Sequence, residues 1–139
     1  VADLPVRVLL TTGANMAMHP LGPIPQNVCV EEFVPQAEVF PYAKAVVTHG
    51  GSGTVLGTLA AAIPMVVTPM FSDQPNNARA VEAVGAGLAL FDTDVPSLRQ
   101  AINHALSNDS FGRGAAKVAA EMADMQGMDT AIQTILALI

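Results

Sequence analysis

The residues best suited to chemistry in this sequence form one glycine-rich run, His49-Gly50-Gly51-Ser52-Gly53-Thr54. Glycines let the backbone approach a ligand closely. An Ala/Leu-rich stretch follows and predicts a helix, whose first amides lack partners within the helix. These amides, the helix dipole and the hydroxyls of Ser52 and Thr54 favour an anion, most naturally a phosphate. His49 adds a hydrogen-bond donor that can also carry positive charge.

Two well-known phosphate loops do not fit this run. A P-loop requires a lysine beside its last glycine, and no lysine lies between Lys44 and Lys117. The dinucleotide fingerprint requires a third glycine where this chain has Leu56. An ordinary Rossmann cofactor site is therefore disfavoured, and we predict no cofactor.

The elements around the run predict a parallel sheet. Residues 45–47 read as a strand, residues 54–62 as a helix that Pro64 ends, and residues 65–68 as a buried strand. Further strands are expected at 6–12, 27–33 and 87–91, and a capping box at Ser97 and Gln100 should begin a later helix. This pattern predicts an α/β fold, a Rossmann-like three-layer sandwich with a mainly parallel sheet.

Composition narrows the function classes. The chain has 139 residues, 51% of them hydrophobic, which suits one domain with a real core. Its net charge is −6 with only six Lys and Arg, so nucleic acid is not expected as a partner. We find neither a signal peptide nor a transmembrane segment. The single cysteine, Cys29, allows no internal disulfide, favours a cytoplasmic setting, and is predicted to be a core residue.

Four motifs carry a resemblance to a known family. They are F-V-P-Q at 33–36, H-G-G-S-G-T at 49–54, I-P-M-V-V-T-P at 63–69 and D-Q-P-N-N-A at 73–78. In this order and spacing they resemble the donor-binding, C-terminal half of GT-B fold glycosyltransferases. Within the UDP-glycosyltransferase superfamily, the bacterial macrolide and antibiotic type is the most similar. The resemblance extends from about residue 6 to the C-terminus.

The resemblance implies three groups of site residues. A purely structural role is the alternative for two of these residues: Phe33 as a core residue before a turn, and Asp73 as a helix cap. An aromatic ring can stack on a nucleotide base, and a carboxylate and an amide suit adjacent sugar hydroxyls. The implied contacts are Phe33, Val34 and Gln36 to the base; His49, Gly51, Ser52, Gly53 and Thr54 to the diphosphate; and Asp73 and Gln74 to the sugar.

The function implied is sugar transfer from a dTDP- or UDP-linked donor to a hydroxyl of a small lipophilic acceptor. We expect no metal, because Asp92 and Asp94 read as turn residues before a helix. In the family the catalytic base lies in an N-terminal acceptor domain, and the donor domain begins with one further strand. We therefore interpret residues 1–139 as a donor-binding domain that lacks both and is inactive alone.

Two alternatives remain open. One is a non-catalytic nucleotide-sugar-binding accessory subunit, and the other is a GT-B-like nucleotide-sugar epimerase. The choice of nucleotide is also open, but Gly57 bears on it. Many members of the family have a glutamate at this position that binds both ribose hydroxyls. A glycine there favours the deoxyribose of a dTDP donor, unless its role is only close helix packing.

Overall fold

A computed structural model describes residues 1–13, 21–125 and 127–138. The chain divides into two compact units, Val1–Tyr42 and Ala43–Ile139. The first unit holds the residues predicted to contact a nucleotide base. The second holds the glycine-rich run and the predicted sugar contacts.

The first unit is built on two parallel strands. They are β1 (Val8–Thr11) and β2 (Val28–Glu31), paired in the register Val8 to Val28. A single-turn helix, α1 (Gln36–Val39), and a 3₁₀ turn (Phe40–Tyr42) follow. The Asn27 amide nitrogen donates to the carbonyl oxygens of Val1, at 2.9 Å, and Val6, at 3.1 Å. These bonds fix the segment before β1. Residues 14–20, among them His19, lie outside the described residues.

Cys29 does not lie in a core, and that prediction is wrong. Its side chain is exposed in the middle of β2, and its thiol lies 3.7 Å from a carboxylate oxygen of Glu31. Side chains on a strand alternate between two faces, so a short apolar run does not specify which face is covered.

The second unit contains a parallel sheet in the order β3-β4-β5. Its strands are three residues long, and two of them are shorter than the predicted runs 65–68 and 87–91. They are β3 (Val46–Thr48), β4 (Met65–Val67) and β5 (Gly87–Ala89). Its helices are α2 (Ser52–Ala60), α3 (Gln74–Ala83), α4 (Val95–Ser107), α5 (Asp109–Ala123) and α6 (Gly127–Leu136).

Each face of this sheet covers its own core. Met65 and Val67 of β4 are fully buried and pack with residues of α2, α3 and α5. Val66, between them, is also fully buried but packs with Ala101 and Ala105 of α4. Successive strand residues point to opposite faces. The unit therefore has helices on both sides of a parallel sheet, and the predicted α/β class is confirmed.

The parallel strands of the described residues form two separate sheets. Within the described ranges β1 pairs only with β2, and β3 only with β4.

The start of α4 differs from the prediction. Asp94 caps this helix, accepting a 2.7 Å hydrogen bond from the backbone amide of Ser97, which lies inside the first turn. Pro96 fits that first turn because its missing N–H is not needed there. The Ser97–Gln100 capping box is thus wrong by three residues, and Asp94 acts as a helix cap.

Candidate functional site

The glycine-rich run follows β3 and leads into α2. The backbone amide of Gly50 donates to the Thr48 hydroxyl at 3.2 Å, and both residues are buried. Gly50 has φ +92°, and a Cβ there would lie 2.6 Å from a methyl carbon of Val67. Only glycine fits both the conformation and the space, so the turn is held tightly against β4.

His49 lies beside this turn with an exposed side chain. A Cβ on Gly51 would come within 2.8 Å of the His49 Nε2 atom, so the imidazole rests on the bare α-carbon of Gly51. In the described part of the chain we find no hydrogen-bond partner for either ring nitrogen. The ring is thus positioned by contact and keeps its capacity to donate to a ligand.

The beginning of α2 is open. Gly51 is its N-cap, with extended backbone and no side chain to accept from the first amides. The first helical hydrogen bond runs from the Val55 amide to the Gly51 carbonyl at 3.0 Å. Ser52 and Gly53 are exposed, and Thr54 is half-buried. An anion placed here meets backbone N–H groups and the positive end of the helix dipole.

A hydrogen-bond network joins this turn to the start of α3. The Ser52 hydroxyl donates to Asp73 Oδ2 at 2.8 Å. The Asn77 amide nitrogen lies 2.9 Å from the same Oδ2, 2.8 Å from the Gly50 carbonyl oxygen and 3.3 Å from Ser52 Oγ. Residues of the predicted diphosphate and sugar sites are therefore direct neighbours.

Asp73 does not serve as a side-chain cap for α3, so that alternative is wrong. Its carboxylate is exposed and faces Ser52 and Asn77. The Ser52 hydroxyl, and then the Asn77 amide, lower the pKa of Asp73 below its ordinary value. Both donors favour the charged form, so Asp73 is an acceptor at neutral pH.

Gln74 is buried and occupied in part by the protein itself. Its Oε1 accepts from the backbone amides of Met70, at 2.9 Å, and Phe71, at 3.1 Å. These bonds shape the loop before α3, in which Ser72 has φ +61°. Because Oε1 is occupied, the amide nitrogen of Gln74 is the atom left for the predicted sugar contact.

The three predicted base-contact residues surround one cleft of the first unit. The cleft has a volume of about 360 Å³ and follows the ends of β1 and β2. Phe33 is 79% exposed, so the alternative of a core phenylalanine is wrong. An open aromatic ring beside a cleft suits stacking by a planar ligand. The lining residues are Thr11, Gly13, Glu32, Phe33, Val34 and Gln36.

Asn77 is the residue that the sequence interpretation missed. Its partners Gly50 and Ser52 lie 27 and 25 residues away along the chain. Its spacing of four from Asp73 on a helix was the one available signal, because residues four apart are neighbours on a helix surface.

Comparison with known proteins identifies the family of the chain. The family described as "Erythromycin biosynthesis protein CIII-like, C-terminal domain" matches residues 1–138. This chain belongs to that family. The resemblance to antibiotic glycosyltransferases is thereby confirmed.

Individual known proteins also share sequence or fold with the chain. Elloramycin glycosyltransferase ElmGT of Streptomyces olivaceus is 41% identical over 115 residues, covering 83% of this chain and 28% of ElmGT. The glycotransferase of kitacinnamycin superposes with a TM-score of 0.89 at 31% identity, covering 98% of this chain and 36% of that one. VinC, solved in complex with dTDP, has a TM-score of 0.85 at 26% identity, covering 99% and 35%. The chain therefore spans about a third of the length of these relatives.

No helix of the described ranges has the length and hydropathy that crossing a bilayer requires.

Proposed function

We propose that this chain binds a nucleotide diphosphate sugar and forms the donor-binding part of a glycosyltransferase. The observation that carries the proposal is the arrangement around Gly51. The imidazole of His49 and the open start of α2 lie there, and the Ser52 hydroxyl donates a hydrogen bond to the Asp73 carboxylate. A phosphate site beside a sugar site is what a nucleotide-sugar donor requires.

Each part of the site has a defined task in sugar transfer. Breaking the sugar–phosphate bond leaves negative charge on the diphosphate. The backbone amides at the beginning of α2 and the donor group of His49 stabilise that charge as it develops. Gly51, Ser52, Gly53 and Thr54 remain the predicted diphosphate contacts, and Asp73 and Gln74 the predicted sugar contacts. We expect the acceptor hydroxyl to be deprotonated by a base from an acceptor-binding domain.

The first unit supplies the predicted base site. Phe33 offers the stacking surface, and Val34 and Gln36 line the same cleft as backbone and side-chain partners. We expect dTDP- and UDP-linked sugars as donors, with dTDP favoured by Gly57. VinC, the relative solved with dTDP, supports this choice. The cytoplasm stays the predicted compartment, on the basis of the lone cysteine.

Calorimetry with dTDP and UDP tests the proposal. His49→Ala should weaken diphosphate binding by about 1–3 kcal/mol, the scale of a lost hydrogen bond to a charged group. His104→Ala is the matched control, because His104 lies on α4 against Phe111 and outside the site. Equal affinities for wild type and His49→Ala would remove His49 from the site. Absence of binding to either nucleotide would overturn the proposal.

Turnover separates an enzyme from an accessory binding subunit. The protein that carries this chain together with an acceptor domain should release dTDP from dTDP-glucose when a lipophilic hydroxyl acceptor is present. Binding without any release would favour the accessory subunit.

A further inference from the structure

We propose that Ser52 and Asn77 are positioning residues for Asp73, holding its Oδ2 so that Oδ1 accepts the hydroxyl groups of the donor sugar. The inference rests on the proposed function and adds a division of labour within the site. It assigns Asn77 a role that its sequence motif did not suggest. It also changes the task of the Ser52 side chain.

The acceptor capacity of Asp73 is the first step of the argument. An ionised carboxylate has about four lone-pair positions, two on each oxygen. The bonds from Ser52, at 2.8 Å, and Asn77, at 2.9 Å, both end on Oδ2. Oδ2 therefore has two donors. The backbone amide of Asp73 and the hydroxyl of Ser72 add weaker interactions with the carboxylate, so the capacity left for a ligand lies mainly on Oδ1.

The donor capacity of Ser52 is the second step. A serine hydroxyl carries one proton. In this structure that proton is directed to Asp73. The hydroxyl cannot donate to a phosphate oxygen at the same time, so the contribution of Ser52 to the diphosphate comes from its backbone amide at the start of α2.

Asn77 completes the network from α3. Its amide nitrogen has two protons, and two strong acceptors lie within 2.9 Å: the Gly50 carbonyl oxygen and Asp73 Oδ2. Asn77 thus ties the orientation of the Asp73 carboxylate to the backbone of the glycine turn. A carboxylate held from two sides presents Oδ1 in one direction, which lowers the ordering cost of a sugar contact.

This arrangement predicts how variants affect nucleotide and nucleotide-sugar binding. Asp73, Ser52 and Asn77 should matter more for a ligand that has a sugar than for the bare diphosphate. The measurable quantity is the ratio of the affinity for dTDP-glucose to the affinity for dTDP. A general disturbance of the phosphate turn lowers both affinities and leaves their ratio unchanged.

Calorimetry with dTDP and dTDP-glucose measures that ratio. Asn77→Ala should lower it about three- to tenfold, the effect of one weakened hydrogen bond. The neighbouring Asn76→Ala is the matched control and should leave both affinities as in the wild type, because Asn76 is exposed and belongs to no part of the network. Ser52→Ala should lower the ratio by a similar factor, which provides a second route if Asn77→Ala folds poorly.

Two results would overturn the inference. If Ser52→Ala weakens dTDP and dTDP-glucose by the same factor, the hydroxyl serves the phosphate and not Asp73. If Asn77→Ala still lowers the ratio in an Asp73→Ala background, Asn77 does not act through Asp73. An unchanged ratio with tight dTDP binding removes this inference alone, whereas absence of dTDP binding removes the proposed function as well.

Discussion

The imidazole of His49 rests on Gly51, with Nε2 2.8 Å from the position that a Cβ on Gly51 would occupy. Gly51 has φ −61° and ψ 136°, a conformation open to any residue. This glycine is therefore required for the space that it leaves to the ring. The position of the His49 ring depends on the absence of a Cβ atom at Gly51.

We expect Gly51→Ala to weaken diphosphate binding about as much as His49→Ala does, by about 1–3 kcal/mol, because the added methyl displaces the ring. The free energy of unfolding of Gly51→Ala should differ from that of the wild type by less than about 1 kcal/mol, since the exposed imidazole can move aside. Calorimetry and urea unfolding measure the two effects. In a His49→Ala background Gly51→Ala should have no further effect on affinity, and a further loss would show that the glycine acts independently of His49.

Substitution of Gly50, unlike that of Gly51, should strongly lower the stability of the fold. Gly50→Ala places a methyl against Val67 at a residue with φ +92°, and we expect a loss of about 2–4 kcal/mol in the free energy of unfolding. Gly53→Ala is the matched control, because its Cβ meets no atom within 4 Å and alanine suits a helix. Urea denaturation of both variants provides the measurement. Equal midpoints would contradict the tight fit of the turn on β4.

Two glycines of α5 offer a similar comparison for the packing of the second unit. A Cβ on Gly114 would run into the carbonyl of Gly85, whereas one on Gly112 meets no atom within 4 Å. We expect Gly114→Ala to destabilise the protein by about 1–3 kcal/mol through overpacking. Gly112→Ala should be neutral or stabilising by up to about 1 kcal/mol. Thermal unfolding distinguishes them, and a more stable Gly114→Ala variant would rule out the close contact.

The pKa of Asp73 gives a prediction with a defined sign. Ser52 and Asn77 lower it below 3.8, so the network stabilises the fold above that pH. The contribution should be lost as the pH falls through the lower pKa of the folded state. NMR titration of the Asp73 carboxyl carbon measures the shift directly. In Ser52→Ala, which removes the largest cause, the pKa should rise toward 3.8, and an unchanged titration would contradict the assigned bond.

Gly57 tests the choice of nucleotide. Gly57→Glu introduces a carboxylate that can accept from both ribose hydroxyls, of which deoxyribose has only one. We expect the ratio of UDP to dTDP affinity to rise, because a buried acceptor left unpaired by dTDP costs about 1–3 kcal/mol. Calorimetry with both nucleotides gives the ratio. A ratio that stays constant would leave close helix packing as the role of Gly57.

The strand–turn–helix–strand unit could be predicted because its signals are local. Apolar runs, Pro64 and the glycines each restrict the backbone within a few residues. Asn77 could not be assigned a role in this way, because its bonds join segments brought together only by the sheet. The exposure of Cys29 was missed for a related reason, since burial of a strand face depends on what covers it.

The prediction of where α4 starts failed for a different reason. Two capping residues compete there within four positions, and Pro96 fits the first turn of the helix that Asp94 caps. The motif resemblance predicted which residues form the site, but not the hydrogen bonds between them. The Ser52–Asp73 hydrogen bond was not predicted, because the sequence analysis had assigned Ser52 to the diphosphate and Asp73 to the sugar.

The anchoring of Gly50 on the most buried strand has a consequence for hydrogen exchange. The Gly50 amide is buried and bonded to Thr48, so its proton should exchange with solvent only when the sheet opens as a whole. Ser52 and Gly53 are exposed residues at the start of α2. Their amides, which precede the first helical hydrogen bond, should exchange quickly and become protected when dTDP binds. Such a contrast would mean that the receptor for the phosphate is already rigid before binding, and that little chain entropy is lost on capture of the ligand.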